Sequence, residues 1–178
     1  MKEWMIQTFT DYRTVIVFFH VLSAVIWVGG MIAIRFATHP SLMMIEDQKI
    51  RLERAAQTLK KLFMIVSPFV VVLIVTAIIM AVGLGFRAAA VDAEGNVVDA
   101  YAMQIYNLVH VKEAIWMIMA VNLVAMMYRR KKAETALLNS DIATAKTHLG
   151  LIAKYMVPLN IILGVSAIFL GVFLRNAY

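Results

Sequence analysis

The chain has 178 residues, of which 62% are hydrophobic and 16% are charged, with a net charge of +6. Ordinary globular proteins carry about 25% charged residues, and a soluble domain of this length could not bury so much apolar surface. The absence of cysteine excludes disulfides, thiolate metal sites and iron–sulfur clusters. We therefore expect an all-α protein, with residues 1–178 forming one domain inside a lipid bilayer.

Four apolar runs, each long enough to cross a bilayer, follow one another along the chain. A span needs about 20 apolar residues, and the runs cover about 14–34, 62–85, 103–128 and 151–174. The segments that connect them are too short for a separate soluble domain. The sequence therefore predicts a four-transmembrane-helix bundle.

Lysine and arginine are concentrated in the first and third connecting loops, residues 35–61 and 129–150. The middle loop carries a single basic residue, Arg87, beside three acidic ones. Basic loops stay on the cytoplasmic side because they resist translocation. We therefore expect these two loops in the cytoplasm, the N and C termini outside, and the protein in the cell (inner) membrane. Basic residues that flank spans are also typical of contact with anionic lipids, so we expect a bilayer and no nucleic acid as partner.

The two halves of the chain resemble each other when the sequence is shifted by ninety residues. The shift places His20 over His110 without a gap, and a proline of one half over a proline of the other. Apolar coincidences are common in membrane segments, but a histidine and a proline that recur with one offset are not. We therefore predict two tandem helical hairpins in the same orientation, residues 1–90 and 91–178.

His20 and His110 lie at matching depth, about six and seven residues below the outer ends of their spans, which is roughly 10 Å. Two neutral imidazoles that meet across a pseudo-two-fold axis in a helical bundle suit the axial positions of a b-type haem. A lone histidine in a span is more often a hydrogen-bonded packing residue. The duplicated position favours the two histidines as ligands of the haem iron.

Lys112 and Glu113 are ionisable residues in the third span, where such groups usually face a cavity or a partner. Glu113 follows His110 by three residues and shares its face of the helix, so it could orient the imidazole or accept a proton. Lys112 points to another side, towards a haem propionate, an acidic substrate or, by snorkelling, the outer interface. These two residues are the candidate catalytic groups.

Three further residues form one stripe with His20 along the first span. Ser23, Trp27 and Gly30 follow it at helical spacing and are candidate cofactor contacts. Gly30 would permit close approach of a macrocycle or, equally, close packing of helices, and Trp27 suits a packed core as well as a cofactor. Thirteen methionines leave copper as an alternative to haem b, because thioethers suit Cu(I).

His20, the WVGG run that begins at Trp27, and the HVK run that ends at Lys112 resemble the copper-resistance protein D (CopD) family. They also resemble the related HemJ-type protoporphyrinogen oxidases. In the HemJ group a first-span histidine is implicated in haem binding, and a third-span lysine in activity. The resemblance implies these roles for His20 and Lys112.

These features together predict an integral membrane b-type haem protein with bis-histidine ligation. Two histidine ligands leave no open iron position, which favours an electron-transfer or oxidoreductase role. One alternative is a HemJ-like protoporphyrinogen oxidase, and another is a CopD-like copper transport or binding protein. The implied partners are a redox partner protein or a porphyrin substrate, and a homo-oligomer is compatible with the sequence.

Overall fold

The computed structural model describes residues 2–176, which are almost entirely helical. The elements are α1 (Lys2–Ala33), a first π-helical turn (Ile34–Thr38), α2 (His39–Met43), α3 (Gln48–Gly83), α4 (Phe86–Ala90), α5 (Ala100–Leu138), α6 (Ile142–Leu151), a second π-helical turn (Ile152–Met156) and α7 (Val157–Asn176). Within the described residues, extended pairing is limited to one isolated bridge between Val91 and Val97. The predicted all-α fold class is confirmed.

These elements join into four helical rods that are long and apolar enough to cross a membrane. Spans 1 to 4 cover Lys2–Met43, Gln48–Ala90, Ala100–Leu138 and Ile142–Asn176. Each rod is longer than the apolar run that predicted it, because the flanking polar segments continue the helix. The structure therefore has the four apolar helices expected of a membrane protein.

Aspartate residues begin three of the long helices. The carboxylate of Asp47 accepts a hydrogen bond from the Ile50 amide (2.9 Å), and that of Asp99 accepts from the Tyr101 amide (2.8 Å). The carboxylate of Asp141 caps α6 in the same way. Such side chains satisfy amides that have no partner inside the helix, which fixes where each helix starts.

The four spans form one bundle. Span 1 contacts spans 2 and 4, span 3 also contacts both of them, and α3 of span 2 touches α6 of span 4. Short connections between consecutive spans give an up-down-up-down arrangement. We call the end with the two chain termini the terminal end, and the end with the connections 44–47 and 139–141 the basic end.

Large apolar side chains fill the bundle, including the fully buried Trp27, Met31, Phe63 and Met126. Small residues bring the helices close where the side chains leave no room. A Cβ on Gly164 of α7 would lie 2.5 Å from Val28 Cγ2 of α1. Spans 1 and 4 therefore meet through a glycine, as is common between membrane helices.

Both π-helical turns precede a proline. Pro40 and Pro158 each lie two residues beyond the last residue of a turn. Proline cannot donate to the preceding helical turn, and a π-helical turn is one way for the backbone to adapt. The two turns also touch, because the Arg35 guanidinium donates to the Ala153 carbonyl at 3.4 Å.

Candidate functional site

His20 lies on the inner face of α1, where it contacts α3. Its Nδ1 is 3.0 Å from Thr76 Oγ1. The Thr76 hydroxyl has one hydrogen, which it donates to backbone carbonyls of its own helix, the nearest being that of Val72 at 2.7 Å. In the neutral imidazole, Nδ1 must therefore be the donor to Thr76, which leaves Nε2 unprotonated.

Lys112 lies inside the bundle, on the side of α5 that faces α7. A Cβ on Gly171 would be 3.2 Å from Lys112 Nζ, so the absence of a side chain there makes room for the ammonium group. Gly171 is nearer to the terminal end than Lys112 is, so the side chain extends in that direction along α7. Lys112 also lies within electrostatic range of His20.

His110 and Glu113 lie on the outer side of α5. The Nδ1 of His110 is 2.9 Å from Glu113 Oε2, and the side chains are 52% and 48% exposed. The Tyr106 ring packs edge-on against the imidazole, with 4.5 Å between the ring centroids. A carboxylate accepts hydrogen bonds only, so His110 donates from Nδ1, and Nε2 has no partner among the described residues.

The structure thus brings together His110 with Glu113, and His20 with Thr76. His20 faces the inside of the bundle, whereas His110 faces away from it, so their partners lie on different sides of the molecule. Ligation of one haem iron by both imidazoles stays a prediction. The catalytic roles of Lys112 and Glu113 stay predictions as well.

The predicted stripe on α1 is packed against protein. Ser23 is fully buried and donates to the Phe19 carbonyl at 2.7 Å. A Cβ on Gly30 would lie 2.8 Å from Leu62 Cδ1, so this glycine permits close packing of α1 on α3. Trp27 is 1% exposed and belongs to the core.

A polar pair that our sequence analysis missed lies between α5 and α7. The amide of Asn122 donates to Asn160 Oδ1 and to the Met156 carbonyl, each at 2.8 Å. Asn160 is fully buried and donates in turn to the Met119 carbonyl at 3.4 Å. Asparagines inside apolar spans were the available signal, because buried amides in membrane helices commonly join two helices.

The metal-ligand chemistry of the described residues is limited to pairs. Among residues 2–176, no group of three or more histidine, aspartate or glutamate side chains is arranged to hold a metal ion. Bis-histidine ligation of a haem needs only two such side chains, since the porphyrin supplies the other four ligands. Copper held by histidine and methionine remains the second metal hypothesis.

Several features fit a haem, and one does not. Two buried indole nitrogens, Trp27 Nε1 and Trp116 Nε1, have no hydrogen-bond acceptor among the described residues, and such donors suit the carboxylates of a porphyrin. In both histidines Nδ1 lies beside a side-chain oxygen, at 3.0 Å in His20 and 2.9 Å in His110. The stripe from Ser23 to Gly30 does not offer a cradle, because side chains of the bundle already fill it.

No protein-family model, curated protein or solved structure matches the chain. The resemblance to the CopD and HemJ families therefore rests on His20, the WVGG run, His110 and Lys112 alone.

Proposed function

We propose that the chain is an integral membrane b-type haem protein in which His20 and His110 ligate iron and which transfers electrons. One observation carries this proposal. In both histidines a side-chain oxygen lies within hydrogen-bond distance of Nδ1, that of Thr76 in one case and that of Glu113 in the other. Histidines that bind metals nearly always donate their second ring nitrogen to such a partner, which fixes the tautomer and the ring orientation.

The protein groups around the haem would have distinct tasks. Thr76 and Glu113 would orient the two imidazoles, and the indole of Trp116 could donate to a propionate. The haem itself supplies a reversible one-electron couple between Fe(III) and Fe(II). Ligation by two imidazoles would favour electron transfer over oxygen binding.

The proposal includes a homo-oligomer. His110 and Glu113 are half-exposed at a depth where polar groups are costly in lipid, so a covering partner is expected on this side of α5. The two imidazoles of one chain face different sides, and His20 is only partly buried. We therefore propose that each iron joins His20 of one copy to His110 of another. The ratio of haem to chain, together with the mass of the particle in detergent, tests this. In a two-fold dimer the pairing of His20 with His110 of the other copy occurs twice, so two haems per dimer support an intermolecular site, whereas haem in a monomer excludes it.

We also propose that the basic end faces the cytoplasm, that both termini lie outside, and that the two halves are tandem hairpins in the cell (inner) membrane. The lysines and arginines of the two basic loops support the orientation. The packing of α1 on α3 and of α5 on α7 supports the hairpins. Labelling of cysteines introduced at Asn96 and Lys131 tests the orientation. If a reagent added from outside labels position 131 and not position 96, the proposed orientation is wrong.

An optical spectrum of the detergent-purified protein tests the haem. We expect a Soret band that shifts on reduction, with sharp α and β bands. A colourless preparation that takes up copper stoichiometrically would contradict the proposal and favour a CopD-like copper protein. His39→Ala is a matched control, because His39 lies at the basic end, far from His20 along span 1.

A second candidate is a HemJ-like protoporphyrinogen oxidase that works with a redox partner protein. The specific observation in its favour is Lys112, a cation inside the bundle near His20 that could hold a carboxylate of a porphyrin substrate. A redox titration of Glu113→Gln between pH 6 and 8 tests proton-coupled chemistry. An unchanged midpoint potential and pH dependence would remove Glu113 from any catalytic role and weaken the enzyme hypothesis.

A further inference from the structure

A cavity of about 580 Å³ lies at the basic end between α5 and α6. Its wall includes Tyr128, Lys131, Lys132, Thr144 and His148. None of these residues takes part in the proposed haem site, which lies nearer to the terminal end. This cavity is therefore distinct from the proposed haem site.

The cavity carries unneutralised positive charge. Arg130 is paired with Glu134 at 2.9 Å, but Lys131 and Lys132 have no carboxylate within 4 Å among the described residues. Lys132 Nζ lies 4.9 Å from the centroid of the Tyr128 ring. The one carboxylate in the wall, that of Asp141, is held by the Thr144 amide at 3.0 Å as the cap of α6.

His148 adds a second polar group. Its Nδ1 is buried and has no hydrogen-bond partner among residues 2–176. A buried polar nitrogen without a partner is costly. Two ammonium groups and a free imidazole nitrogen in one wall suit a phosphate group, which offers several acceptor oxygens.

The position of the cavity indicates the source of the phosphate. Tyr128 ends the apolar part of span 3, where aromatic side chains lie at the level of lipid headgroups. From there α5 continues for ten residues to Leu138, about 15 Å at the usual rise. One end of the cavity is thus at the membrane surface, where basic pockets between helices bind anionic headgroups.

We propose that this cavity binds the phosphate of an anionic phospholipid headgroup. Lys131 and Lys132 provide the charge, and His148 provides a hydrogen bond. The proposal does not depend on haem. A soluble phosphate ester has the same chemistry, and the experiment must distinguish the two sources.

Native mass spectrometry of the full chain in detergent, with added short-chain phosphatidylglycerol or phosphatidylcholine, is the test. We expect Lys131→Gln/Lys132→Gln to weaken phosphatidylglycerol binding about thirtyfold, which is what two lysines at a membrane surface supply. Phosphatidylcholine binding should not change. Lys60→Gln/Lys61→Gln is the matched control, an exposed basic pair at the same end on α3.

Lys131→Arg/Lys132→Arg keeps the charge and should retain binding, which separates a charge effect from misfolding. Equal binding of the two lipids, or equal losses in the lysine variant and its control, would overturn the proposal. Soluble glycerol phosphate that competes at the concentration of the lipid would overturn the lipid assignment in favour of a soluble phosphate ester.

Discussion

His20 and His110 lie ninety residues apart in corresponding parts of the sequence, yet their surroundings differ. His20 is turned into the bundle and is held by Thr76 of another helix. His110 is 52% exposed and is held by Glu113 of its own helix. Both imidazoles thus have a side-chain oxygen beside Nδ1, but one oxygen comes from another helix and the other from the same helix.

The residues that hold the histidines are not repeated. The position ninety residues after Thr76 is Ser166, which is exposed, and the position ninety residues before Glu113 is Ser23, which is buried. The ninety-residue offset thus places one histidine on α1 and one on α5 but does not determine which way each of them faces.

The largest expected effect comes from disturbing the contact between the halves. In Gly164→Ala the new methyl group overlaps Val28 of span 1, and such overpacking costs about 1–3 kcal/mol. Thermal unfolding in detergent measures this. Gly150→Ala is the control on the same span, because a Cβ there meets nothing within 4 Å. Equal stability of the two variants would contradict close packing of spans 1 and 4.

The next prediction addresses the two histidine anchors directly. Thr76→Val removes the hydroxyl that accepts from Nδ1 of the partly buried His20, which costs about 1–3 kcal/mol. Glu113→Gln alters a pair that is half-exposed, and its cost should be below about 1 kcal/mol. Urea unfolding of both variants compares them. If Glu113→Gln is the more destabilising variant, the contact of His20 is not the more buried of the two.

The Asn122–Asn160 pair exists only in the second half, and its loss should have a moderate effect. Hydrogen bonds between membrane helices contribute about 0.6 kcal/mol on average and about 1.7 at most. Asn160→Leu should destabilise the protein by an amount in that range. Asn107→Leu, which changes an exposed asparagine on α5, should have no measurable effect. Similar unfolding midpoints for the two variants would show that the buried pair contributes nothing.

The smallest expected effect concerns Asp141, which caps the start of α6. The residue ninety positions earlier is Arg51, so this cap is not repeated in the first half of the sequence. Hydrogen bonds from Thr144 hold the pKa of the Asp141 carboxyl below its ordinary value. A lowered pKa means that the ionised carboxylate stabilises the fold, and this contribution is lost as the pH falls below about 4. Between pH 6 and pH 3 the unfolding temperature should fall further in the parent than in Asp141→Asn. If the unfolding temperatures of the parent and of Asp141→Asn fall equally with pH, the Asp141 carboxylate does not contribute to stability.

The sequence predicts the four spans well because their length and apolar composition suffice. The helix starts at Asp47, Asp99 and Asp141 also follow a local rule, since aspartate caps the amides of a first turn. These features depend on neighbouring residues only. They explain why the fold class and the number of spans agree with the structure.

The orientation of His110 could not be predicted in the same way. Lipid and protein interior are both apolar, so an apolar span has no strong polar side to show which face is turned outward. Packing decides, and α5 turns Val109 and Met119 inward while His110 remains on the outside. The π-helical turns also depend on distant contacts, such as that between Arg35 and Ala153.

Electron paramagnetic resonance of the oxidised protein tests the central claim, that both histidines are iron ligands. We expect a low-spin ferric signal in the parent and in His39→Ala. In His20→Ala and in His110→Ala the signal should become high-spin or disappear with the haem. A parent-like low-spin signal in His110→Ala would show that the exposed histidine is not a ligand and would contradict the account.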